Sequence, residues 1–247
     1  MASKLYRSSR QWGMRRRGVD YYDEGELVWL EADTLIRQKT AGAKSLDDFC
    51  RAFYGAASAG ATPQGSKPTV VPYEASDVFA ALNQIAPHDW SAFFTERLTS
   101  LDPGPPLGGI TQGGYKLTYT AKANKMIEAG SKANKRIDLR ASLGLTLSND
   151  EGEHTVIDVV PGSPADKAGV GPSMKLLAVN GRKFDDDLLK DAILATLMSK
   201  SIELLFENAT YYTTAKLSYD GGPRSPHLER ASDSPDLIEK IIAPRAK

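Results

Sequence analysis

VVPGSPADKAGVGPSMKLLAVNGRKF, residues 159–184, is the stretch on which the reading of the fold turns. Ser163 suits a helix N-cap, and Pro164 follows at the first helical position, where a missing N–H costs nothing. Gly169 supplies the positive-φ residue that closes such a helix after one turn or so. Leu176, Leu177, Ala178 and Val179 then run into Asn180-Gly181, a pair that favours a type I′ hairpin turn because both residues tolerate positive φ. Strand end, capped short helix, strand and hairpin therefore succeed one another within 26 residues.

Strand texture extends on both sides of this stretch. Tyr115 to Tyr119 alternates, residues 137–147 alternate around Gly144, and residues 155–160 are β-branched and apolar. Residues 186–198 interrupt the strands with Leu188, Leu189, Ile193, Leu194 and Leu197 at helical spacing, and residues 202–206 and 211–219 return to strand character. The tail from Gly221 is polar and proline-bearing, and loose packing is expected of it.

Upstream the periodicity is helical. Residues 24–38 carry Leu27, Leu30, Leu35 and Ile36, with Asp23, Glu24 and Glu26 where the helix dipole favours negative charge. Ser45 to Asp48 reads as an N-cap followed by a carboxylate, opening a second helix with Leu46, Phe49, Cys50 and Phe53 on one stripe. Residues 55–72 are Gly, Ala, Ser, Thr and Pro without period and read as a long, mobile surface loop. Val78, Phe79, Leu82 and Ile85 mark a third helix, and Asp89 starts a fourth containing Trp90, Phe93 and Phe94. LDPGPPLGG, residues 101–109, is the strongest breaker signal, which sets the division expected from sequence: a helical segment over 1–106, a linker with one strand over 107–137, a β domain over 138–220 and a tail over 221–247. The expected class is α+β, an N-terminal helical bundle segment followed by a β domain.

Composition narrows the function classes. The chain has 247 residues, which at about 150 residues per domain lies between one domain and two. With 41% apolar residues and 31 basic against 31 acidic side chains it is neither a disordered chain nor a general polyanion binder, so no nucleic-acid partner is expected. No apolar run is long enough to span a bilayer, and Lys4, Arg7, Arg10 and Arg15-Arg16-Arg17 precede no apolar stretch, so neither a membrane anchor nor a signal peptide is read here. The abrupt start suggests a chain that opens within something larger. One cysteine, Cys50, excludes an internal disulfide and, from its place on an apolar stripe, is expected to be buried. Ser163 has no Gly-x-Ser-x-Gly elbow around it and is read as a cap, not a nucleophile.

Residues 159–184 resemble the PDZ signature, through Gly162-Ser163-Pro164-Ala165, Ala168-Gly169 and Val179-Asn180-Gly181. The resemblance makes Ser142-Leu143-Gly144-Leu145 the carboxylate-binding loop. The backbone N–H groups of Leu143, Gly144 and Leu145 would then face a peptide's terminal carboxylate, and the following strand would pair with that peptide. One departure is that PDZ domains of this type have Gly-Asp where this chain has Ser173-Met174.

DYYDEGELVWLEADTLIR (20–37), SLDDFCRAFYG (45–55), IAPHDWSAFF (85–94), LGGITQGGYKLTYT (107–120) and GGPRSPHLER (221–230) resemble the C-terminal part of the glycyl aminopeptidase family of zinc metallopeptidases. The family joins a thermolysin-like catalytic domain to a PDZ domain. It binds zinc through His-Glu-x-x-His on one helix and a Glu on the next. This chain has only His88, His154 and His227, none with a histidine four residues away, so no metal ligand is assigned and no cofactor is expected in this chain, with zinc expected in the parent family. The resemblance gives Tyr22 of Tyr21-Tyr22-Asp23-Glu24-Gly25 the role of oxyanion stabiliser, with Tyr21 as its rival.

Two functions follow as expectations. The first is the C-terminal fragment of an aminopeptidase, inactive alone because the zinc motif lies upstream, and prone to self-association through faces such as Leu27, Trp29 and Leu30. The alternative is a non-enzymatic PDZ module that recognises protein C-termini, or a PDZ domain with a purely structural role. A soluble protein of the bacterial cytoplasm or periplasm is implied by the resemblance.

Overall fold

The computed structural model describes residues 12–13, 21–55, 71–101, 104–150 and 152–244. In chain order its elements begin with α1 (Tyr21–Lys39), α2 (Leu46–Gly55), α3 (Ala75–Ile85), α4 (Trp90–Thr99) and α5 (Gly108–Gln112). They continue with β1 (Tyr115–Thr120), α6 (Lys125–Ala133), β2 (Arg136–Leu139), β3 (Leu145–Ser148), β4 (Val156–Val159) and α7 (Pro164–Lys167). The remainder is β5 (Lys175–Val179), β6 (Arg182–Lys183), α8 (Asp186–Ser199), β7 (Ser201–Asn208), β8 (Tyr211–Ser218), β9 (Ser225–Arg230) and α9 (Leu237–Ile242). The class is α+β, and the chain forms two compact units, one of Tyr21–Lys116 with Glu229–Lys247 and one of Met1–Asp20 with Leu117–Leu228.

In the helical unit α1 is the central element. Val28, Ala32 and Ile36 of α1 pack with Phe49, Leu82, Ala86, Trp90, Phe93 and Phe94 in one core. Trp90 is fully enclosed and its indole N–H donates to the Ala86 carbonyl at 3.0 Å, so the ring is buried without an orphaned donor. Leu27, Trp29 and Leu30, expected to be bare, are half-buried. The Trp29 ring lies 5.6 Å from Phe49 and 5.1 Å from Phe94. α1 also begins earlier than its apolar period suggests, so Tyr21 and Tyr22 lie in its first turn.

A short helix, α5, starts on the last two residues of the breaker segment, where contact with α1 overrides propensity. A Cβ on Gly109 would sit 2.6 Å from the backbone nitrogen of Glu31, so only glycine lets these two helices approach. α6 lies in the stretch expected to be linker. Its only large apolar residues are Met126 and Ile127, and it buries no residue, so no core-facing stripe announces it. What marks it is Asn124, whose side chain accepts from the Ile127 N–H at 2.9 Å.

The β-rich unit has two sheets, β2-β3-β4 and β6-β5-β7-β8, closed over a core that includes Leu143, Leu145, Leu147, Val179, Ile193, Leu204 and Phe206. The decisive stretch folds as its residues dictate. Ser163 Oγ accepts from the Asp166 N–H at 3.2 Å with Pro164 opening α7, Gly169 has φ +80°, and Asn180 and Gly181 have φ +49° and +76° in the β5-β6 turn. Trp12 lies against Gly171 and packs on this core. The basic run Arg15-Arg16-Arg17 and most of the expected loop at 55–72 lie outside the described residues.

The expectation of a loose tail is overturned. β9 pairs with β1, Leu237 at the start of α9 is buried, and its N–H donates to the Gly113 carbonyl at 3.1 Å. Arg230 Nη1 donates to Gly114 O at 2.7 Å and Arg230 Nε lies 3.2 Å from Asp236. The Glu239 N–H, the Tyr115 hydroxyl and Arg230 outweigh desolvation and hold the Asp236 carboxyl below its ordinary range. The contacts with Gly113, Gly114 and Tyr115 reach back more than a hundred residues along the chain, which local periodicity does not register.

Two turn residues give a paired test. Gly144 has φ +83°, and a Cβ there would meet Ser163 Cβ at 2.0 Å. Gly144→Ala is expected to cost roughly 2–4 kcal/mol in urea unfolding, combining overpacking with left-handed strain. Ser173 occupies φ +74° where the resemblance places glycine. Ser173→Gly is expected to stabilise by about 0.5–1 kcal/mol, because relief of that strain exceeds the entropy glycine adds to the unfolded chain. Shifts of the opposite sign would contradict both placements.

Candidate functional site

The loop preceding β3 gathers three chain segments. Leu143 and Leu145 are fully buried, and Gly144 turns the chain so that its carbonyl accepts from the Val160 N–H at 2.8 Å and from Ser163 Oγ at 3.3 Å. The Leu143 carbonyl accepts from the Ala165 N–H at 2.9 Å, fixing α7 beneath the loop. β3 is paired on both sides. Leu145 and Thr146 face Val159 and Asp158 of β4, and the register on the other edge is Arg136↔Ser148, Ile137↔Leu147, Asp138↔Thr146 and Leu139↔Leu145.

The Leu139 carbonyl completes that arrangement. It accepts from the Ser142 N–H at 3.1 Å, from the Ser142 hydroxyl at 3.2 Å and from the Gly144 N–H at 2.9 Å. Successive N–H groups on a left-handed turn form a concavity suited to an anion. Here the concavity holds a carbonyl of the same chain. Of the three residues expected to meet a carboxylate, Gly144 has its N–H directed at Leu139, beside the N–H and hydroxyl of Ser142.

Tyr22 stands in the first turn of α1 with 65% of its surface exposed, beside Tyr21 at 61%, their rings 4.7 Å apart. Nearly two helical turns further on, α1 sinks into the core at Val28. An exposed phenol is thus carried on a firmly anchored helix, and geometry alone does not choose between the two tyrosines.

The three histidines lie in separate places: His88 before α4, His154 before β4 and His227 on β9. Among the described residues no group of three or more His, Cys, Asp or Glu side chains converges to hold a metal ion. His88 is pushed below its ordinary range by burial and by Lys39, with Asp89 opposing and Arg97 adding to the fall. Cys50 is exposed, contrary to expectation, because the buried face of α2 is centred on Phe49.

The helical unit holds a cleft of 290 Å³ lined by residues including Glu31, His88, Phe93, Arg97 and Gln112. Arg97 meets Glu31 with two hydrogen bonds, Nη2 to Oε1 at 2.5 Å and Nε to Oε2 at 2.8 Å, and its guanidinium lies 3.8 Å over the Phe93 ring. Gln112 Nε2 donates to Glu31 Oε1 at 3.3 Å. Both carboxylate oxygens are engaged, so Glu31 ties α1, α4 and α5 together and is not placed as a base. The Glu31 hydrogen bond outweighs desolvation and holds Arg97 more firmly in its charged form. The sequence signal for this pair was an acid in the middle of an otherwise apolar helix face.

No family profile and no curated protein matches the sequence. Among solved structures, an aminopeptidase N family protein from Idiomarina loihiensis superposes with a TM-score of 0.61 at 18% identity, over 91% of this chain. The chain spans 36% of the length of that protein. At that identity the likeness is one of fold. The HtrA3 PDZ domain bound to a phage-derived ligand aligns over 47% of this chain and 92% of its own, at 13% identity and a TM-score of 0.24. The photosystem II D1 C-terminal processing protease aligns over 82% of this chain and 43% of its own, at 14% identity and a TM-score of 0.26. Among the described residues no helix is long and apolar enough to cross a membrane.

Removing one partner of a buried ion pair strands the other charge. Arg97→Met is expected to destabilise the helical unit by about 2–4 kcal/mol, scaled down from a fully buried pair because the guanidinium keeps some solvent contact. Arg51→Ala, at the exposed pair with Asp48, is expected to change stability by less than about 0.5 kcal/mol. Urea titration of both variants tests the contrast, and equal effects would remove the special status of Glu31.

Proposed function

We propose that this chain is the C-terminal portion of a zinc aminopeptidase-like metallopeptidase, in which residues 1–106 belong to the catalytic domain and residues 138–220 form a PDZ domain. The observation that carries the reading is the fold likeness to the Idiomarina aminopeptidase N family protein over 91% of this chain, with Tyr22 exposed on the first turn of an anchored helix. The zinc ligands would come from a part of the protein outside this sequence. The role of Tyr22 is to donate a hydrogen bond from its phenol to the oxygen that gains charge as the substrate carbonyl is attacked. Residues 21–55 hold that phenol in place through the α1 core and do not activate water. The substrate class is peptides with a small N-terminal residue such as glycine, and the 247-residue chain by itself hydrolyses nothing.

Capture of a protein C-terminus at Leu143, Gly144 and Leu145 is the second reading. The left-handed turn at Gly144 favours it, and the pairing of β3 with β2 means that the edge must first be vacated.

The test compares this chain with a version extended upstream, measuring bound zinc and turnover of a glycyl reporter. Zinc and turnover are expected only in the extended protein, with loss of turnover on chelation. In that protein Tyr22→Phe should lower kcat by roughly 10²–10³-fold at unchanged zinc content, and Tyr21→Phe should stay within about threefold of the parent. A zinc-loaded extended protein that cleaves no aminoacyl substrate, or one indifferent to Tyr22→Phe, would overturn the reading.

A further inference from the structure

The segment before the Gly144 turn sits where an extended ligand of β3 would sit. β2 runs antiparallel to β3 along the edge opposite β4, so every ladder position of β3 on that side is taken by residues 136–139. Its direction ends at the turn, with the Leu139 carbonyl inside the concavity formed by the Ser142 N–H, the Ser142 hydroxyl and the Gly144 N–H. Its side chains alternate as a bound strand's would. Ile137 and Leu139 are half-buried and pack on the β-rich core, whereas Arg136 and Asp138 face solvent. Direction, register and side-chain alternation follow from the hairpin, and the placement of the Leu139 carbonyl adds a contact of its own.

The same segment is lightly held on its other side. α6, which precedes it, buries no residue. Lys135 turns the chain at φ +48°, its carbonyl accepting from the Asn149 N–H at 2.8 Å and its ammonium meeting Asp150 at 2.7 Å, both at the exposed end of the hairpin. β2 itself contributes only four residues and two half-buried side chains, against β3, in which Leu145, Thr146 and Leu147 are all buried. Removing β2 would leave β3 and the Gly144 turn supported from below by β4 and α7.

We propose that residues 134–139, Asn-Lys-Arg-Ile-Asp-Leu, are an internal surrogate ligand that keeps this module self-occupied, and that a peptide of like sequence ending in a free carboxylate at leucine displaces it. The inference rests on the peptide-capture reading of the module and is independent of the peptidase reading. It also states a specificity. The favoured peptide has an aliphatic last residue and an aliphatic residue two positions earlier, the pattern of Leu139 and Ile137, with polar residues between and before them. A free carboxylate replaces the Leu139 carbonyl in the concavity and gains charge-assisted hydrogen bonds that the carbonyl does not make. This is what gives an external peptide an advantage over a strand already tethered at high effective concentration.

The probe is the fluorescent hexapeptide Asn-Lys-Arg-Ile-Asp-Leu with a free C-terminus, alongside its C-terminal amide, titrated into the full 247-residue chain. Weak binding is expected to the parent, binding at least tenfold tighter to Ile137→Glu, which loosens β2 and leaves the sequence of β3 unchanged, and loss of binding with the amide. A second variant carries Asp138→Cys and Thr146→Cys, cross-strand partners, in a Cys50→Ser background. Oxidation should lock β2 and abolish binding, and reduction should restore it, a result that stands even if Ile137→Glu fails to fold. Binding that persists in the oxidised form would overturn the surrogate and place the peptide elsewhere. Absence of binding in every folded form would overturn the surrogate together with the peptide-capture reading.

Discussion

The left-handed turn at Gly144, closed against Ser163, is the constraint on which the β-rich unit depends. Gly144 must lack a side chain because Ser163 presses against its Cα, and its positive φ aims its N–H back at Leu139. The same turn aims the Leu143 and Gly144 carbonyls at Ala165 and Val160, which places α7 and the end of β4. One residue thus fixes the β2-β3 hairpin, the seat of α7 and the start of the buried run Leu145 to Leu147. Backbone groups rather than side chains make these contacts, so the arrangement tolerates wide sequence change as long as glycine and a small capping residue stay at 144 and 163.

The helical unit is organised by a different device. α1 is buried or half-buried from Val28 to Arg37, and it carries charged residues inward as well as apolar ones. Glu31 is met by Arg97 and Gln112, while Asp33 accepts from Arg37 at 3.1 Å and from the Leu46 N–H at 2.8 Å. Each buried acid therefore bridges to another helix or to the chain opening one, and the pairing sets which helices can neighbour α1. The result is a rigid rod whose first turn projects two phenols into solvent. A catalytic role for Tyr22 needs such rigidity, since an oxyanion donor acts only when it is held before the charge develops.

Where local chemistry determines structure, the sequence was legible. Ser163-Pro164, Gly169 and Asn180-Gly181 announced a cap, a helix stop and a hairpin turn, and each takes the backbone conformation it implies. At Ser45 and Asp48 only half of the expected box forms: the Ser45 N–H donates to Asp48 at 2.8 Å, while the Ser45 hydroxyl turns to the same carboxylate at 3.3 Å. What was not legible depends on partners distant in sequence. α5 starts on the glycines that end a glycine- and proline-rich stretch because α1 lies against it, and the tail is ordered by Arg230 reaching Gly114. Cys50 follows an apolar stripe and is nonetheless exposed, because the period fixes which residues share a face and not how much of that face is covered. At the candidate site, periodicity gave the strand after Gly144 and left unread that the strand before it folds back on the same edge. Alternation identifies strands, whereas pairing is decided by the turn between them.

The most direct measurement is native-state amide hydrogen exchange of the full chain, read residue by residue by NMR at Gly144 and along β3. Pairing with β2 requires a Gly144 N–H protected well above a free amide, with opening of β3's β2-facing amides at lower free energy than that of Leu204 or Phe206 in β7. A Gly144 amide exchanging as fast as an unstructured one, with no cross-strand contacts between residues 136–139 and 145–148, would contradict a self-occupied β3 edge.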